Sequence, residues 1–157
     1  MPNNKKLTLK EIWKTLRAVD TTKIEQPLPQ NNRLTYISWA DAWVCLMNVY
    51  PQAEYEFTQP VFYRSAEHEA TCEVGCKVTI GDFSREMSLP VMTSHMPMKS
   101  IPNPTSRDIN DAKARCLVKT LGMFGLGLHL WEKKTTSSTK TEMYDEGAGF
   151  LWVCMEQ

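Results

Sequence analysis

Apolar positions along the chain fall into three stripes of helical period and one stretch of strict alternation. In LTLKEIWKTLRAV, Leu9, Ile12, Trp13 and Leu16 recur at helical spacing, and Thr8 stands where an N-cap belongs. EQPLPQNNR, polar and proline-bearing, reads as a loop. A second helix is expected from Ser38, because SWAD has the form of a capping box in which Ser38 and Asp41 satisfy first-turn amides. Its predicted apolar stripe is Trp39, Trp43, Val44, Met47 and Tyr50, with Asp41 and Asn48 opposite and Pro51 as the stop.

The pattern then changes to a period of two. AEYEF sets Ala53, Tyr55 and Phe57 on one face, and VFYR is a short candidate partner strand. Residues 71–91 form the clearest hairpin, turning at Gly81-Asp82. Pairing about that turn sets Ile80 against Phe83, Cys76 against Met87 and Val74 against Leu89 on an apolar face. Lys77 meets Glu86 and Thr79 meets Ser84 on a polar one, the alternation of an antiparallel sheet covered on one side. Arg85 is the exception, opposite Val78 on the apolar face.

SHMPMKSIPNPTS is a proline-rich loop that delivers the chain into a third helix, about residues 107–123, capped by Thr105 or Ser106. Ala114, Leu117, Val118 and Leu121 share one side of its wheel, and Ile109, Ala112 and Cys116 another. Asp108, Arg115 and Lys119 fall on a narrow polar stripe between them, expected to be exposed. Gly122, Gly125 and Gly127 end the helix, and LHLW is expected to add a strand. Residues 133–149 are polar and low in complexity, as in a flexible linker, before the apolar FLWVCM. The expectation is an α+β fold: an antiparallel sheet packed on helices in residues 1–132, then a flexible C-terminal tail, 133–157.

Composition constrains the function more than the fold. The 157 residues carry 18 Lys+Arg against 18 Asp+Glu, so bulk charge gives no sign of a polyanionic partner, and any nucleic-acid site must be local. Five cysteines lack a framework spacing, and MPNNKKLTLKEIW has no apolar leader core, so a reducing cytoplasm is the expected home. No apolar run approaches the roughly 20 residues of a membrane span. GMFGLG follows a helix rather than a strand and is a poor dinucleotide motif. Cys72 and Cys76 on one strand would stand about 13 Å apart, too far for one zinc, so both read as core thiols. His68, His95 and His129 lie in separate segments. No cofactor is expected.

Local charge is more informative. Lys99, Arg107, Lys113, Arg115 and Lys119 cluster in the loop and third helix. Arg115 and Lys119, one turn apart, could bridge successive phosphates of a single strand. Ion pairing with Asp108 and Asp111 is the simpler reading of the residues alone. Lys77 and Arg85 could add charge to a groove between sheet and helix, though Lys77 could equally pair with Glu86. Tyr36 is a candidate for base stacking. Trp39 and Trp43 could also stack, but their helical spacing favours core packing.

LTYISWADAWVCLMNVYPQAEYEF, MSLPVM, KSIPNP and DINDAKARCLVKTLGMFGLGLHLW together resemble the phage single-strand annealing proteins of the Sak type. The likeness spans residues 34–131 through four blocks in order. It implies a β-β-β-α core, homo-oligomeric rings or filaments, and ATP-independent annealing of single-stranded DNA. It also implies an exonuclease and an ssDNA-binding protein as partners, and marks Lys99, Arg115 and Lys119 as groove residues. Two departures are a short segment between Phe57 and Thr71 and a tail ending in FLWVCMEQ rather than a long acidic extension. The rival readings are a small nuclease using Asp108, Asp111 or His129 with a metal, and a phage protein-interaction module in which the basic stripe meets protein.

Overall fold

The computed structural model describes residues 6–28, 31–94 and 97–132. Three α-helices and six strands in two antiparallel sheets give the expected α+β class. The linker and the apolar tail end expected beyond residue 132 lie outside the described residues.

Helix α1 (Leu9–Arg17) begins with a complete capping box: the Thr8 hydroxyl accepts from the Glu11 amide, and the Glu11 carboxylate accepts from the Thr8 amide at 3.0 Å. Its stripe buries Ile12 and Leu16. The segment expected to be a loop is instead a hairpin, β1 (Glu25–Leu28) with β2 (Asn31–Ile37). Proline and polar residues hid it from an alternation test. Pro27 lies beside a register shift, where a missing amide donor disturbs the ladder least. Side-chain bonds anchor this hairpin: Glu25 Oε1 accepts from the Thr21 hydroxyl and lies 2.7 Å from His129 Nε2.

Helix α2 (Trp39–Val49) starts at Ser38, whose hydroxyl accepts from the Asp41 amide at 3.1 Å and donates to the Asp41 carboxylate at 2.7 Å. Its buried face matches the predicted stripe only in part: Tyr50 is buried, and Trp43 and Met47 pack partly against the core. Ala42, Leu46 and Tyr50 are buried, whereas Trp39 and Val44 are exposed. Helix α2 packs beside α3, and its most buried positions, Ala42 and Leu46, lie outside the predicted stripe, so that stripe is displaced rather than reversed.

The main sheet contains β3 (Glu54–Phe57), β4 (Val61–Tyr63), β5 (Thr71–Ile80) and β6 (Phe83–Pro90). The β5–β6 register matches the expected one at each pair, from Ile80–Phe83 through Val74–Leu89, with Arg85 opposite Val78. Strand β3 pairs with residues 76–79 of β5 and β4 with residues 71–73. Of those β5 residues, 73 and 76–79 pair with β6 on their other side, so β3 and β4 lie end to end along one edge of β5. The short VFYR strand thus joins β5, not β3. Between β3 and β4, Thr58 donates its amide to Gly75 O at 3.0 Å, and a Cβ at Gly75 would collide with the Thr58 hydroxyl.

After β6, the chain folds back on itself through a Met92–Ser100 bridge, and the Asn103 amide donates to Ala70 O at 2.7 Å. Helix α3 (Ser106–Gly122) then crosses β5 and β6, with Thr105 and Asp108 forming its capping box. Its second half, Cys116 to Gly122, is buried at every position. The helix covers the face bearing Cys72, Val74, Cys76, Val78 and Ile80, which with Leu89 and Val91 form the core. The predicted LHLW strand is a short 3-10 helix, Leu128–Leu130, because Gly125 (φ 107°) and Gly127 (φ 68°) turn the chain away from the sheet. No helix among the described residues is long and apolar enough to cross a membrane.

The Trp131 ring lies where a Cβ on Gly122 would be. Gly122→Ala should therefore destabilise the fold: displacing the ring costs about 1–3 kcal/mol, more than the roughly 1 kcal/mol of helix propensity gained. With Trp131→Ala in the background, the same substitution should stabilise. Urea melts of the two single variants and the double variant check both signs.

Candidate nucleic-acid interface

The eight residues singled out by charge or ring are not gathered at one place. Tyr36 stands on the β1–β2 hairpin and donates its hydroxyl to Gln26 Oε1 across the strands at 3.3 Å. Lys77 lies on the uncovered face of the main sheet, where it pairs at 3.4 Å with Glu56 of β3 instead of Glu86 of β6. Arg85 resolves its position on the apolar face by laying its guanidinium over the Phe124 ring, 5.8 Å from the centroid, while Nη1 donates to Ser84 O. Lys99 and Arg107 are exposed, on the folded-back loop and in the first turn of α3.

Helix α3 divides the remaining three. Lys113 and Arg115 are two residues apart, hence about 200° apart around the axis. Lys113 lies toward β3, its ammonium 5.6 Å from the Phe57 ring centroid. Lys119 lies toward β6, where Nζ donates to Ser88 O at 2.7 Å. The stripe expected to be exposed is not: Lys119 is only 6% exposed, and Arg115 is half-buried. The reason is that the second half of α3 packs on the sheet beneath and on α2 beside it, leaving no solvent-facing strip. An ammonium so placed must find an acceptor within the protein, and the Ser88 carbonyl is that acceptor. Desolvation draws the Lys119 pKa below 10.5, against the opposing pull of Cys116 and Glu73.

Of the aspartates expected to neutralise this stripe, Asp108 is used otherwise. Asp108 takes the Thr105 amide at 2.8 Å and hydroxyl at 2.7 Å, and these two hydrogen bonds hold its carboxyl below the usual range. Arg115 Nη1 is buried with no hydrogen-bond partner. A buried donor without an acceptor is costly, so this nitrogen marks where an acceptor from outside the described residues would be welcome. His129, a candidate metal ligand in the nuclease reading, is bonded to Glu25 and lies 3.3 Å from Thr21 Oγ1. Among the described residues, no three His, Cys, Asp or Glu side chains converge to hold a metal ion.

Aromatic rings gather on the side of α3 that carries Lys113. Trp43 and Tyr55 meet edge to face at 4.9 Å, and Tyr55 and Phe57 at 5.4 Å. Trp39 and Tyr55 are 51% and 45% exposed. The sequence offered Trp39 and Trp43 as possible stacking residues but favoured packing for both, and did not single out Tyr55, Phe57 or Phe62 for binding. The signal that would have found them is the register: once β3 and β4 pair with β5, parity puts all three on the face that α3 covers only in part.

The family model for the Sak Single Strand Annealing Protein matches residues 10–140. The chain belongs to this family. Neither curated proteins nor solved structures give a match. As a member of the Sak family the chain is a single-strand annealing protein, and the matched region runs from α1 through both sheets and α3. The activity of this family is annealing of single-stranded DNA in recombination.

The thiols under α3 make an alkaline prediction. Burial pushes Cys116 up to about 11 and Cys76 up to about 12, from an ordinary 9.0. Above about pH 8.5 the unfolded chain loses these protons while the fold retains them, so stability falls as pH rises. Lys119, with a lowered pKa, acts in the opposite sense, but two thiols oppose one amine. The melting temperature should drop between about pH 8.5 and pH 10.5, and Cys116→Ala should flatten the slope.

Proposed function

We propose that the protein binds single-stranded DNA with little sequence preference and anneals complementary strands without nucleotide hydrolysis in phage-type homologous recombination. The observation that carries this reading is membership of the single-strand annealing family over residues 10–140. Base pairing supplies the free energy of annealing, so no cofactor is required. The protein's task is to hold one strand with its bases presented and to release the duplex. It works as a homo-oligomer, a ring or filament, in which weak contacts per protomer add along the strand. The setting is the cytoplasm of a bacterial host, with an exonuclease supplying single strands and an ssDNA-binding protein sharing them.

Exposed Lys99 and Arg107 and half-buried Lys113 and Arg115 supply the phosphate contacts in this reading. Lys119 contributes by holding α3 to β6 rather than by touching DNA, since its ammonium is already given to Ser88 O.

Fluorescence anisotropy with a labelled oligonucleotide tests the reading. With four phosphate contacts the salt slope is about −3, so affinity should fall about fiftyfold from roughly 50 to 200 mM salt. Annealing of complementary oligonucleotides should proceed without ATP. No binding at low salt, or binding indifferent to salt, refutes the proposal. Arg115→Met should lower affinity severalfold while leaving the melting temperature equal or higher, because it removes an unsatisfied buried donor but keeps the stem. Unchanged affinity would remove Arg115 from the surface.

A further inference from the structure

The geometry points to the margin of the main sheet along β3 and β4 as a base-stacking track for single-stranded DNA, with Lys113 as its phosphate contact. The inference rests on the annealing reading above and names the surface that does the binding.

Strand pairing fixes which rings share a face. Tyr55 pairs with Val78, Phe57 with Cys76 and Phe62 with Cys72, and partners directly opposite point the same way. Val78, Cys76 and Cys72 all lie under α3, fully or nearly buried. Tyr55, Phe57 and Phe62 therefore line that same face at its edge: Phe57 is half-buried beneath Lys113, while α3 leaves Tyr55 45% and Phe62 54% exposed. Trp43 of α2 continues the row beyond Tyr55, and Trp39 stands one turn further along the same helix. From Val78 to Cys72 the row spans six residues of β5, about 20 Å at strand rise, room for several nucleotides at 3.4 Å or more each.

Three features favour nucleobases over a protein partner. The Trp43–Tyr55 and Tyr55–Phe57 contacts are both edge to face (interplanar angles 76° and 66°), so Tyr55 is not sandwiched between its neighbours. Base stacking on aromatic side chains accepts any sequence, as an annealing protein requires. Lys113 stands within the row, near the Phe57 ring and close enough to Cys72 to lower its pKa against desolvation. Among the described residues no carboxylate pairs with it, so its charge is available to a phosphate. The carboxylates of the same strand, Glu54 and Glu56, alternate onto the opposite face, where Glu56 meets Lys77.

The test compares Tyr55→Ala/Phe62→Ala, Tyr55→Phe and Lys113→Ala with the wild-type chain by anisotropy across a salt series, with light scattering and thermal melting alongside. The double variant should lose about tenfold or more in affinity per ring with an unchanged salt slope, because stacking releases no counterions. Tyr55→Phe should bind like wild type. Lys113→Ala should reduce the slope by about one. Oligonucleotide binding should also quench tryptophan fluorescence through Trp39 and Trp43. Should the double variant fail to fold, Phe62→Ala alone carries the test, since its ring stands on a three-residue edge strand. Wild-type affinity in a folded ring variant overturns the track while leaving the annealing reading intact. Absence of wild-type binding at low salt overturns both. A loss of affinity that comes with a smaller assembled mass makes the margin a contact between copies, and also overturns it.

Discussion

The rest of the structure depends on the burial of the second half of α3. A helix covered on every side from Cys116 to Gly122 must satisfy each polar group within the protein. Thr120 donates its hydroxyl back to Cys116 O at 2.8 Å, the Cys116 thiol points to Met87 O and Val74 O, and Lys119 reaches Ser88 O. The Cys116 and Lys119 bonds, with a second contact of the Thr120 hydroxyl to Cys76 O at 3.3 Å, run from helix side chains to strand backbone, so they fix the position of α3 across β5 and β6 more narrowly than apolar contact would. Where α3 lies then decides which parts of the sheet are core and which are left bare.

This arrangement separates two kinds of cation that the sequence presents as one cluster. On the β6 side the charge is absorbed into the fold, as Lys119 shows. On the β3 side Lys113 keeps its charge beside open rings. The difference arises from helical phase: six residues at about 100° each set Lys113 and Lys119 about 120° apart around the axis. It also explains why net charge is uninformative here: only the cations that the fold leaves unspent matter to a polyanion.

Much of the fold was legible because local chemistry and global packing agree. The β5–β6 register follows from strict alternation plus a Gly81-Asp82 turn, since a slip of one would turn every core side chain outward. The three helix starts follow from Thr8, Ser38 and Thr105, each with an acidic residue three positions later. What escaped was set by tertiary contact. The β1–β2 hairpin lacks alternation because its anchor is the Glu25–His129–Thr21 set, drawn from positions far apart in sequence. The buried face of α2 was read only in part, because the small Ala42 carries little weight on a wheel of large apolar residues. Lys119 looked like a surface residue because its acceptor is a backbone carbonyl, which leaves no trace in the sequence. The exposed rings of β3 and β4 were hidden for a related reason: whether they are core or surface depends on how far α3 reaches across the sheet.

The break between β3 and β4 has a consequence for behaviour at high local concentration. An exposed strand edge bearing aromatic residues invites another copy to add on by backbone pairing, and such growth is how amyloid begins. Here that edge is interrupted at Thr58, which turns its own amide onto Gly75 and leaves strands of only four and three residues. An incoming strand meets a short ladder, then a gap, and cannot zip along the margin. The same rings can therefore stay open to solvent in a crowded assembly without becoming a seed for aggregation.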